Sequence, residues 1–409
     1  MLPTMLLATA LATFAVLPQD PLPLLPKLRD RDAKVQAAAA RDLEAIGPKA
    51  IPPLRELLAE TKDQDLRTLV EHVLGGIELE HPGGLLVAFT RGEAKASELW
   101  VWRDGVETVL TADHAMDYAL SLSPDGARLA FVRTPDHHDY GMHPTIVREL
   151  ATGDERELAR AHAPAWSPDG AWLALATDGG IVLVPFGADA KERQQRTLGR
   201  DLGKIHHAAW SPNGRFLACE AGDAVVVLDA AAGTVHARLD GTPAGTSSLY
   251  SFSLGDSLVS MVSGNGPYHW WVYLAPIAGG EPRRLHEQPF RHGITALSPR
   301  EDLVFCTQSK GEDYASFVLD TADGASREVF ANASPLLRPT WSADGRFVVF
   351  VDGKDTIQLL HARSGRTRAI ATMQEGYGPN GMAFAPAVWF GAGRPVPLVR
   401  GVTATPAAK

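Results

Sequence analysis

The densest group of side chains that could do chemistry lies between residues 134 and 143. It holds three histidines and two aspartates, and the histidines are His137, His138 and His143. The segments between the repeats add His114 and four histidines that we include in the prediction, namely His162, His206, His207 and His292. Imidazole and carboxylate groups that converge on one pocket can bind a ligand or hold a transition metal. We predict that these seven histidines contribute to a ligand-binding site.

No motif in the sequence specifies a metal, and neither a metal nor a cofactor is predicted. The histidines include no His-x-x-x-His pair on a helical segment, and no cysteine cluster accompanies them. The other interpretation of these residues is structural. A histidine in a polar loop is commonly solvated, and one just before a strand commonly caps a turn.

A second candidate group is aromatic and lies between residues 264 and 271. Tyr268 and Trp270 are predicted to be exposed and to anchor a peptide or a sugar ring. Trp270 and Trp271 are neighbours in a strand, so their side chains point to opposite faces of the sheet. Alternatively, both tryptophans pack inside the fold.

Several enzyme classes lack their motifs in this sequence. No Gly-x-Ser-x-Gly nucleophile elbow is present, and no P-loop or dinucleotide-binding glycine pattern joins a strand to a helix. Pairs of carboxylates exist, but nothing in their spacing marks one of them as a general acid or base. No catalytic residue is predicted.

The elements that must position these residues repeat with a period of about 44 residues. The clearest copies are Ser-Pro-Asp-Gly at 123 and 167, Ser-Pro-Asn-Gly at 211 and Ser-Ala-Asp-Gly at 342, and weaker copies begin at 81, 253 and 298. Proline presets one backbone angle and glycine supplies the positive φ that a tight turn needs. Repeats of this length with four short strands each are typical of β-propeller blades.

Apolar residues flank each turn in a fixed pattern. The sixth and eighth residues after the repeat start are apolar in all seven copies, as Leu129 and Phe131 are in the second. The residue before the start is Trp, Phe or Leu in six copies, with tryptophan at Trp166, Trp210 and Trp341. A period of two predicts β-strands with a buried face on each side of the turn.

The ends of the repeat region predict how the ring of blades closes. The first copy has Glu80 where the others have an apolar residue, and residues 381–386 form an isolated strand pattern with Phe384 in that place. We therefore predict that 381–386 completes the first blade, which gives seven blades and removes exposed sheet edges. Two alternatives remain: residues 77–80 supply the missing strand, or the propeller has six blades.

The Trp-Ser-Pro-Asp-Gly run at 166–170 and its variants at 210–214 and 341–345 resemble the TolB-like (WD40-like, PD40) β-propeller repeat. The strand segments at 129–132 and 347–350 resemble the same repeat. The resemblance covers about residues 82–390 and implies an all-β, seven-bladed propeller, which we assign to residues 77–391. One propeller fold hosts many unrelated activities, so the resemblance implies the fold and not the function.

Residues 22–76 differ from the repeat region, because their apolar residues recur at helical spacing. Gly47 and Pro48 end a first helix. The pattern Asp-x-x-Val-x-x-Ala-Ala from Asp32 resembles a HEAT repeat, and about one and a half such repeats fit. We predict a small α-helical cap that either docks a partner or merely covers a blade.

The first 18 residues are apolar, rich in alanine and free of acidic residues. This pattern predicts a signal peptide over residues 1–18 and a periplasmic or secreted protein. The alternatives are an uncleaved apolar arm or a single membrane anchor. No other segment is long and apolar enough to span a bilayer, and residues 392–409 are predicted to form a flexible tail.

Charge and cysteine content limit the partners and the chemistry further. The formal net charge is −9 and no basic cluster is present, which argues against nucleic acid and anionic membrane surfaces as partners. The two cysteines, Cys219 and Cys306, hold the same repeat position two blades apart. We predict two buried free thiols and no disulfide.

Taken together, these patterns predict an exported, non-enzymatic propeller that binds a peptide, a protein or a cell-envelope component at its channel mouth, with carbohydrate as a further candidate ligand. The alternative is a metal-dependent propeller enzyme acting on polysaccharide. Such an enzyme would resemble the oligogalacturonate lyases and would draw its metal ligands from the histidine set. A third hypothesis is a structural module of a secreted assembly that makes its contacts through the helical cap.

Overall fold

A computed structural model describes residues 20–93, 96–111, 116–134, 141–240, 248–264, 270–285, 294–310, 313–332, 339–373 and 387–390. The chain divides into two compact units, Met1–His81 and Pro82–Lys409. The first unit is helical and the second consists of β-strands. No helix within these residues is long and apolar enough to cross a membrane.

The helical unit contains three α-helices: α1 (Ala33–Ile46), α2 (Ile51–Glu60) and α3 (Gln64–Glu80). Short 3-10 turns at Leu22–Leu24, Pro26–Arg29 and Gly47–Ala50 precede and join them. The Asp32 side chain caps α1 by accepting from the backbone N–H of Lys34. Leu28, Leu43, Leu54, Val70 and Val73 are fully buried in one core, which confirms the predicted helical segment.

The end of this segment differs from the sequence pattern in one respect. The predicted segment stops at residue 76, whereas α3 continues through Gly75 and Gly76 to Glu80. Residues 77–80 are therefore helical and do not supply the missing strand of the first blade. Ile77 packs in the same core as Val73 and Leu74, so the apolar period of three to four residues continues past the glycines.

The second unit contains seven antiparallel sheets of four strands each. Blade 1 comprises β1 (Leu85–Glu93), β2 (Ala96–Arg103), β3 (Val106–Val109) and a strand from the C-terminal region. Blade 2 comprises β4 (Met116–Leu122), β5 (Arg128–Thr134), β6 (His143–Glu149) and β7 (Glu155–Ala161). Blade 3 comprises β8 (Ala163–Trp166), β9 (Trp172–Thr177), β10 (Gly180–Pro185) and β11 (Arg196–Leu198).

The remaining blades follow the same order. Blade 4 comprises β12 (Ala208–Trp210), β13 (Phe216–Ala221), β14 (Ala224–Asp229) and β15 (Val235–Asp240). Blade 5 comprises β16 (Ser248–Leu254), β17 (Leu258–Gly264), β18 (Trp270–Pro276) and β19 (Arg283–Arg284). Blade 6 comprises β20 (Thr295–Leu297), β21 (Leu303–Lys310), β22 (Asp313–Asp320) and β23 (Ser326–Ala331). Blade 7 comprises β24 (Thr340–Trp341), β25 (Phe347–Val351), β26 (Thr356–His361) and β27 (Thr367–Thr372).

The ring closes through β28 (Ala387–Phe390), which pairs with β1 as the innermost strand of blade 1. The innermost strands neighbour one another around the ring, with β28 lying next to both β24 and β4. This arrangement confirms seven blades and rules out six. The predicted register was wrong, because Val388 and not Phe384 lies opposite Val87. Residues 381–386 lie outside the described residues.

The hydrophobic core lies between neighbouring blades. Alternate residues of one strand enter two different clusters: Leu217 and Cys219 pack with blade 3, whereas Phe216 and Ala218 pack with blade 5. Each blade is thus apolar on both faces, and only its outermost strand is largely exposed, as in β7. Cys219 and Cys306 are both buried and free, as the sequence predicted.

The regular spacing of the repeat also produces hydrogen bonds between blades. The indole N–H of Trp210 donates to the carbonyl oxygen of Ala165 at 3.0 Å, and that of Trp341 donates to Ala296 at 2.9 Å. In both cases the acceptor belongs to the innermost strand of the preceding blade. Trp210 and Trp341 therefore each link their innermost strand to that of the preceding blade as well as filling the core.

Candidate functional site

The antiparallel strands give the propeller two different faces. One face carries the turns between first and second strands, and we call it the turn face. The other carries the turns between second and third strands and the connections between blades, and we call it the loop face. Because the connections lead directly into innermost strands, the loop face surrounds the mouth of the central channel.

The polar groups of the turn face largely satisfy one another. In the second repeat, Ser123 donates its hydroxyl to Asp125 Oδ1 and accepts from the backbone N–H of Arg128. Similar bonds form within the turns that begin at 167, 211 and 342. Between blades, Glu301 accepts from the backbone N–H groups of Ser257 and Leu258. These side chains hold the fold together and leave few groups for a ligand.

His162 lies on the loop face at the entry to the innermost strand of blade 3. It connects β7 directly to β8, and its backbone N–H donates to the carbonyl oxygen of Ala176 at 2.8 Å. The ring is buried, and its Nε2 lies 2.8 Å from Oδ1 of Asp178. The hydrogen bond from His162 lowers the pKa of Asp178 below its ordinary value. Asp178 is therefore a carboxylate at neutral pH, and half of its side chain is exposed.

The turn between β9 and β10 places Asp178 beside His162. The Thr177 hydroxyl donates to the carbonyl oxygen of Gly180 at 2.8 Å and accepts from the N–H of Gly179. The N–H of Asp178 itself donates to Sδ of Met142, at 3.4 Å, from the loop face of blade 2. The carboxylate of Asp178 is thus carried by a turn that is held in place by the hydrogen bonds of Thr177 and of the Asp178 N–H.

The connection from blade 3 to blade 4 brings two more basic groups to Asp178. Ile205 is fully buried, and its N–H donates to the carbonyl oxygen of Thr177 at 2.9 Å. Lys204 and His206 flank Ile205 and are both exposed. Lys204 Nζ lies 3.8 Å from Asp178 Oδ1. Because that distance exceeds a normal hydrogen bond, the contact is ionic and leaves the ammonium donors available.

The rings of His162 and His206 stack with their centroids 4.6 Å apart and their planes at 48°. Both histidines stand five residues before a repeat start, so this contact joins the same repeat position in neighbouring blades. Loss of water around the His206 ring lowers its pKa, and the proximity of His162 and Lys204 lowers it further. His206 is therefore predominantly a neutral imidazole at neutral pH.

The structure brings together only part of the predicted histidine set. His162 and His206 meet at the channel mouth, and His143 is buried at the start of β6 beside Met142. His207 is half-buried, with its ring centroid 5.6 Å from that of Phe252. The binding roles of these residues stay predictions. His137, His138, Tyr268 and His292 lie outside the described residues.

Trp270 differs from the expectation of an exposed aromatic at the rim. Only 7% of its surface is accessible, and it packs with Val272 and Leu297 between blades 5 and 6. Trp271 is half-buried and packs against the cluster between blades 4 and 5. The two side chains point to opposite faces of the sheet, as predicted, and both serve the packing between blades.

Two residues of the site, Asp178 and Lys204, were not identified from the sequence. Asp178 occupies an ordinary Asp-Gly turn position, and Lys204 is a single charge in a connection between blades. They belong to the site because they contact His162 and His206, and the closure of the propeller brings these residues together. Within the residues that the structure describes, no three His, Cys, Asp or Glu side chains are grouped so as to hold a metal ion.

Within the described residues, seven four-stranded sheets close into a ring, which defines a seven-bladed β-propeller, and the Trp-Ser-Pro-Asp-Gly run at 166–170 resembles the TolB-like repeat. No family model and no curated protein matches the chain. Among solved structures, TolB from Acinetobacter baumannii is similar over 80% of this chain and 73% of its own, with 16% identity and a TM-score of 0.46. An oligogalacturonate lyase from Vibrio parahaemolyticus is similar over 72% of this chain and 86% of its own, with 11% identity and a TM-score of 0.49. Similarity of this degree transfers neither protein's function to this chain.

Proposed function

We propose that this propeller is a binding protein that takes a peptide or protein segment on its loop face, at the channel mouth beside blades 3 and 4. The observation that carries the proposal is the exposed group formed by Asp178, Lys204 and His206 around the buried ring of His162. Mouths and loops carried by a rigid scaffold are common positions for binding residues.

Two features of the group support binding. The backbone that carries it is bonded at His162 to Ala176 and at Ile205 to Thr177, so little backbone freedom is lost when a partner docks. Its exposed members offer both an acceptor, the Asp178 carboxylate, and a donor, the Lys204 ammonium. The turn face differs, because its serine and aspartate side chains already bond to their own turns.

The experiment compares two double variants that remove the same charges from opposite faces. D178A with K204A removes one anion and one cation from the loop face. K191A with E192A does the same in the connection between β10 and β11, which lies on the turn-face side and is exposed. Tagged wild type and both variants are incubated with envelope extract of the source cells, and captured proteins are quantified by mass spectrometry.

We expect a discrete captured partner with wild type and with the turn-face variant, and at least about tenfold less of it with the loop-face variant. A tenfold loss corresponds to about 1.4 kcal/mol of binding free energy, a modest demand on two charged contacts. Circular dichroism checks that both variants keep the fold. Equal capture by all three proteins, or no partner with any of them, would contradict the proposal.

The proposal includes export, which rests on the apolar, alanine-rich residues 1–18. N-terminal sequencing of the mature protein from its native cells tests this part. A mature N-terminus near residue 18 in the periplasmic or extracellular fraction is the expected result. A full-length chain in the cytosolic fraction would remove export from the proposal and leave the loop-face site untouched.

A further inference from the structure

The group at the channel mouth contains more basic residues than acidic ones. Three basic side chains, those of His162, Lys204 and His206, surround one carboxylate, that of Asp178. These are the titratable groups that face His206 from the β7–β8 junction, the β9–β10 turn and its own connection. The chain as a whole has the opposite balance, with a formal charge of −9.

Asp178 is already engaged by two of these groups. Its Oδ1 accepts from Nε2 of His162 and faces the Lys204 ammonium at 3.8 Å. Among the described residues, His206 shares the carboxylate of Asp178 with His162 and Lys204. Its proton is disfavoured because of partial desolvation and these neighbours. Within the described part of the chain, Lys204 and His206 thus lie near one carboxylate, which is already bonded to His162.

Lys204 and His206 are also placed to contact one ligand together. They stand on either side of Ile205, whose side chain is buried and whose N–H is bonded to Thr177. Both side chains lie close to Asp178, since Lys204 Nζ is 3.8 Å from its Oδ1 and the charges of Lys204 and Asp178 both act on His206. Both are exposed, and the ammonium makes no hydrogen-bond-length contact with Asp178.

We infer that Lys204 and His206 bind an oxyanion between them, namely the carboxylate of an acidic side chain in the docked peptide segment. The inference rests on the proposed function, since it names the chemistry of the partner at the same site. A carboxylate there forms charge-assisted hydrogen bonds with the ammonium and the imidazolium. Binding therefore takes up a proton at His206, and by linkage it raises the pKa of that ring.

The test follows His206 by NMR of the imidazole carbons while pH is varied, with the resonance assigned by its loss in H206Q. The probes are acetyl-Gly-Glu-Gly-Glu-Gly-amide, the same peptide with glutamine in place of glutamate, and inorganic phosphate. We expect the glutamate peptide to raise the pKa of His206 by about half a unit, which corresponds to about threefold tighter binding to the protonated ring. The glutamine peptide should leave it unchanged.

Two variants make the test specific. K204Q removes the second cation without adding charge and should abolish the peptide's effect on His206. K191Q removes an exposed lysine on the turn-face side and should preserve it. Equal effects of the glutamate and glutamine peptides, or no effect of either, would overturn the inference. An effect of phosphate alone would mean that the site takes a free anion and would overturn the assignment to a peptide carboxylate.

This outcome is separable from that of the proposed function. If the loop-face variant loses its captured partner and yet the glutamate peptide does not shift His206, the oxyanion site is wrong and the binding face stands. If capture does not depend on the loop face, the proposed function fails whatever the peptide does.

Discussion

Gly180 lies so close to the carbonyl oxygen of Leu198 that a methyl group on its α-carbon would be 2.5 Å from that oxygen. Its φ of 108° is also one that residues with a side chain rarely adopt. Gly180 ends the turn that presents Asp178, so the close approach of two strands fixes the position of the candidate site.

We predict that Gly180→Ala destabilises the protein by about 2 kcal/mol or more, because it adds both a backbone clash and torsional strain. Gly179→Ala is the matched control. A methyl group at position 179 meets nothing within 4 Å, and the residue has no positive φ. Urea unfolding measures both. Similar free energies of unfolding for the two variants would contradict the close contact between Gly180 and the carbonyl oxygen of Leu198.

The bond between His162 and Asp178 gives a prediction about pH. The His162 hydrogen bond is the largest cause of the lowered pKa of Asp178, ahead of the charge of Lys204. His162→Leu should therefore raise the pKa of Asp178 towards the ordinary 3.8, and Lys204→Gln should raise it less. Carboxyl-carbon NMR follows the titration. The reverse order of the two effects would contradict the structure.

The sign of the pH effect follows from the direction of the shift. A carboxyl group whose pKa is lower in the folded state than in the unfolded state stabilises the fold at any pH above its unfolded-state pKa. This contribution is lost as pH falls through its folded-state pKa. The bond to His162 therefore persists at neutral and mildly acidic pH. His206 acts in the same direction at higher pH, because its lowered pKa makes the fold less stable as pH falls below about 6.5.

The fold could be predicted from the sequence because the same turn and flanking apolar residues recur along the chain. Each copy places apolar residues at fixed distances from a turn, so seven weak signals support one another. The register of the closing strand could not be predicted. Residues 382–390 contain apolar residues suited to either register, and no Ser-Pro-Asp-Gly turn links this strand to the rest of its blade. Pairing with β1 across the ring therefore selects Val388, and nothing local in the sequence does so.

The candidate site was predictable only in part, for a related reason. The equal repeat positions of His162 and His206 indicate that they face each other across neighbouring blades. Their partners Asp178 and Lys204 come from segments whose positions are set by the packing of neighbouring blades, and both residue types are common in turns. The burial of Trp270 could not be predicted from the sequence either. Adjacent tryptophans in a strand point to opposite faces of the sheet, but the pattern does not show what packs on each face.

The indole bonds between blades predict different costs for two similar substitutions. Trp341→Phe removes a donor and leaves the carbonyl oxygen of Ala296 without that bond. Trp166→Phe removes a similar volume, but the Trp166 Nε1 has no hydrogen-bond partner among the described residues. We expect Trp341→Phe to lower the free energy of unfolding by about 1 kcal/mol more than Trp166→Phe. Chemical denaturation checks this, and equal costs would mean that the bond contributes nothing measurable.

The two thiols should be inert in the folded protein. Burial raises the pKa of Cys219 to about 12, and it raises that of Cys306 as well. Thiolate is the reactive form, so a thiol reagent at pH 8 should label neither cysteine in native protein and both in denaturant. Rapid labelling of one cysteine in native protein would show that its blade opens locally.

Truncation tests the closure of the ring most directly. A chain ending at Pro386 lacks β28, so the edge of β1 at Leu86 and Val87 loses its partner strand, and β24 and β4 lose the strand that lies next to both. A chain ending at Phe390 keeps the four residue pairs of that ladder. We expect the shorter chain to unfold at least about 10 °C lower or to aggregate, because an open ring exposes a sheet edge and part of the core. The longer chain should keep the wild-type melting temperature. If the two truncated chains have the same melting temperature, β28 does not close the propeller, and another segment of the chain must supply the innermost strand of blade 1.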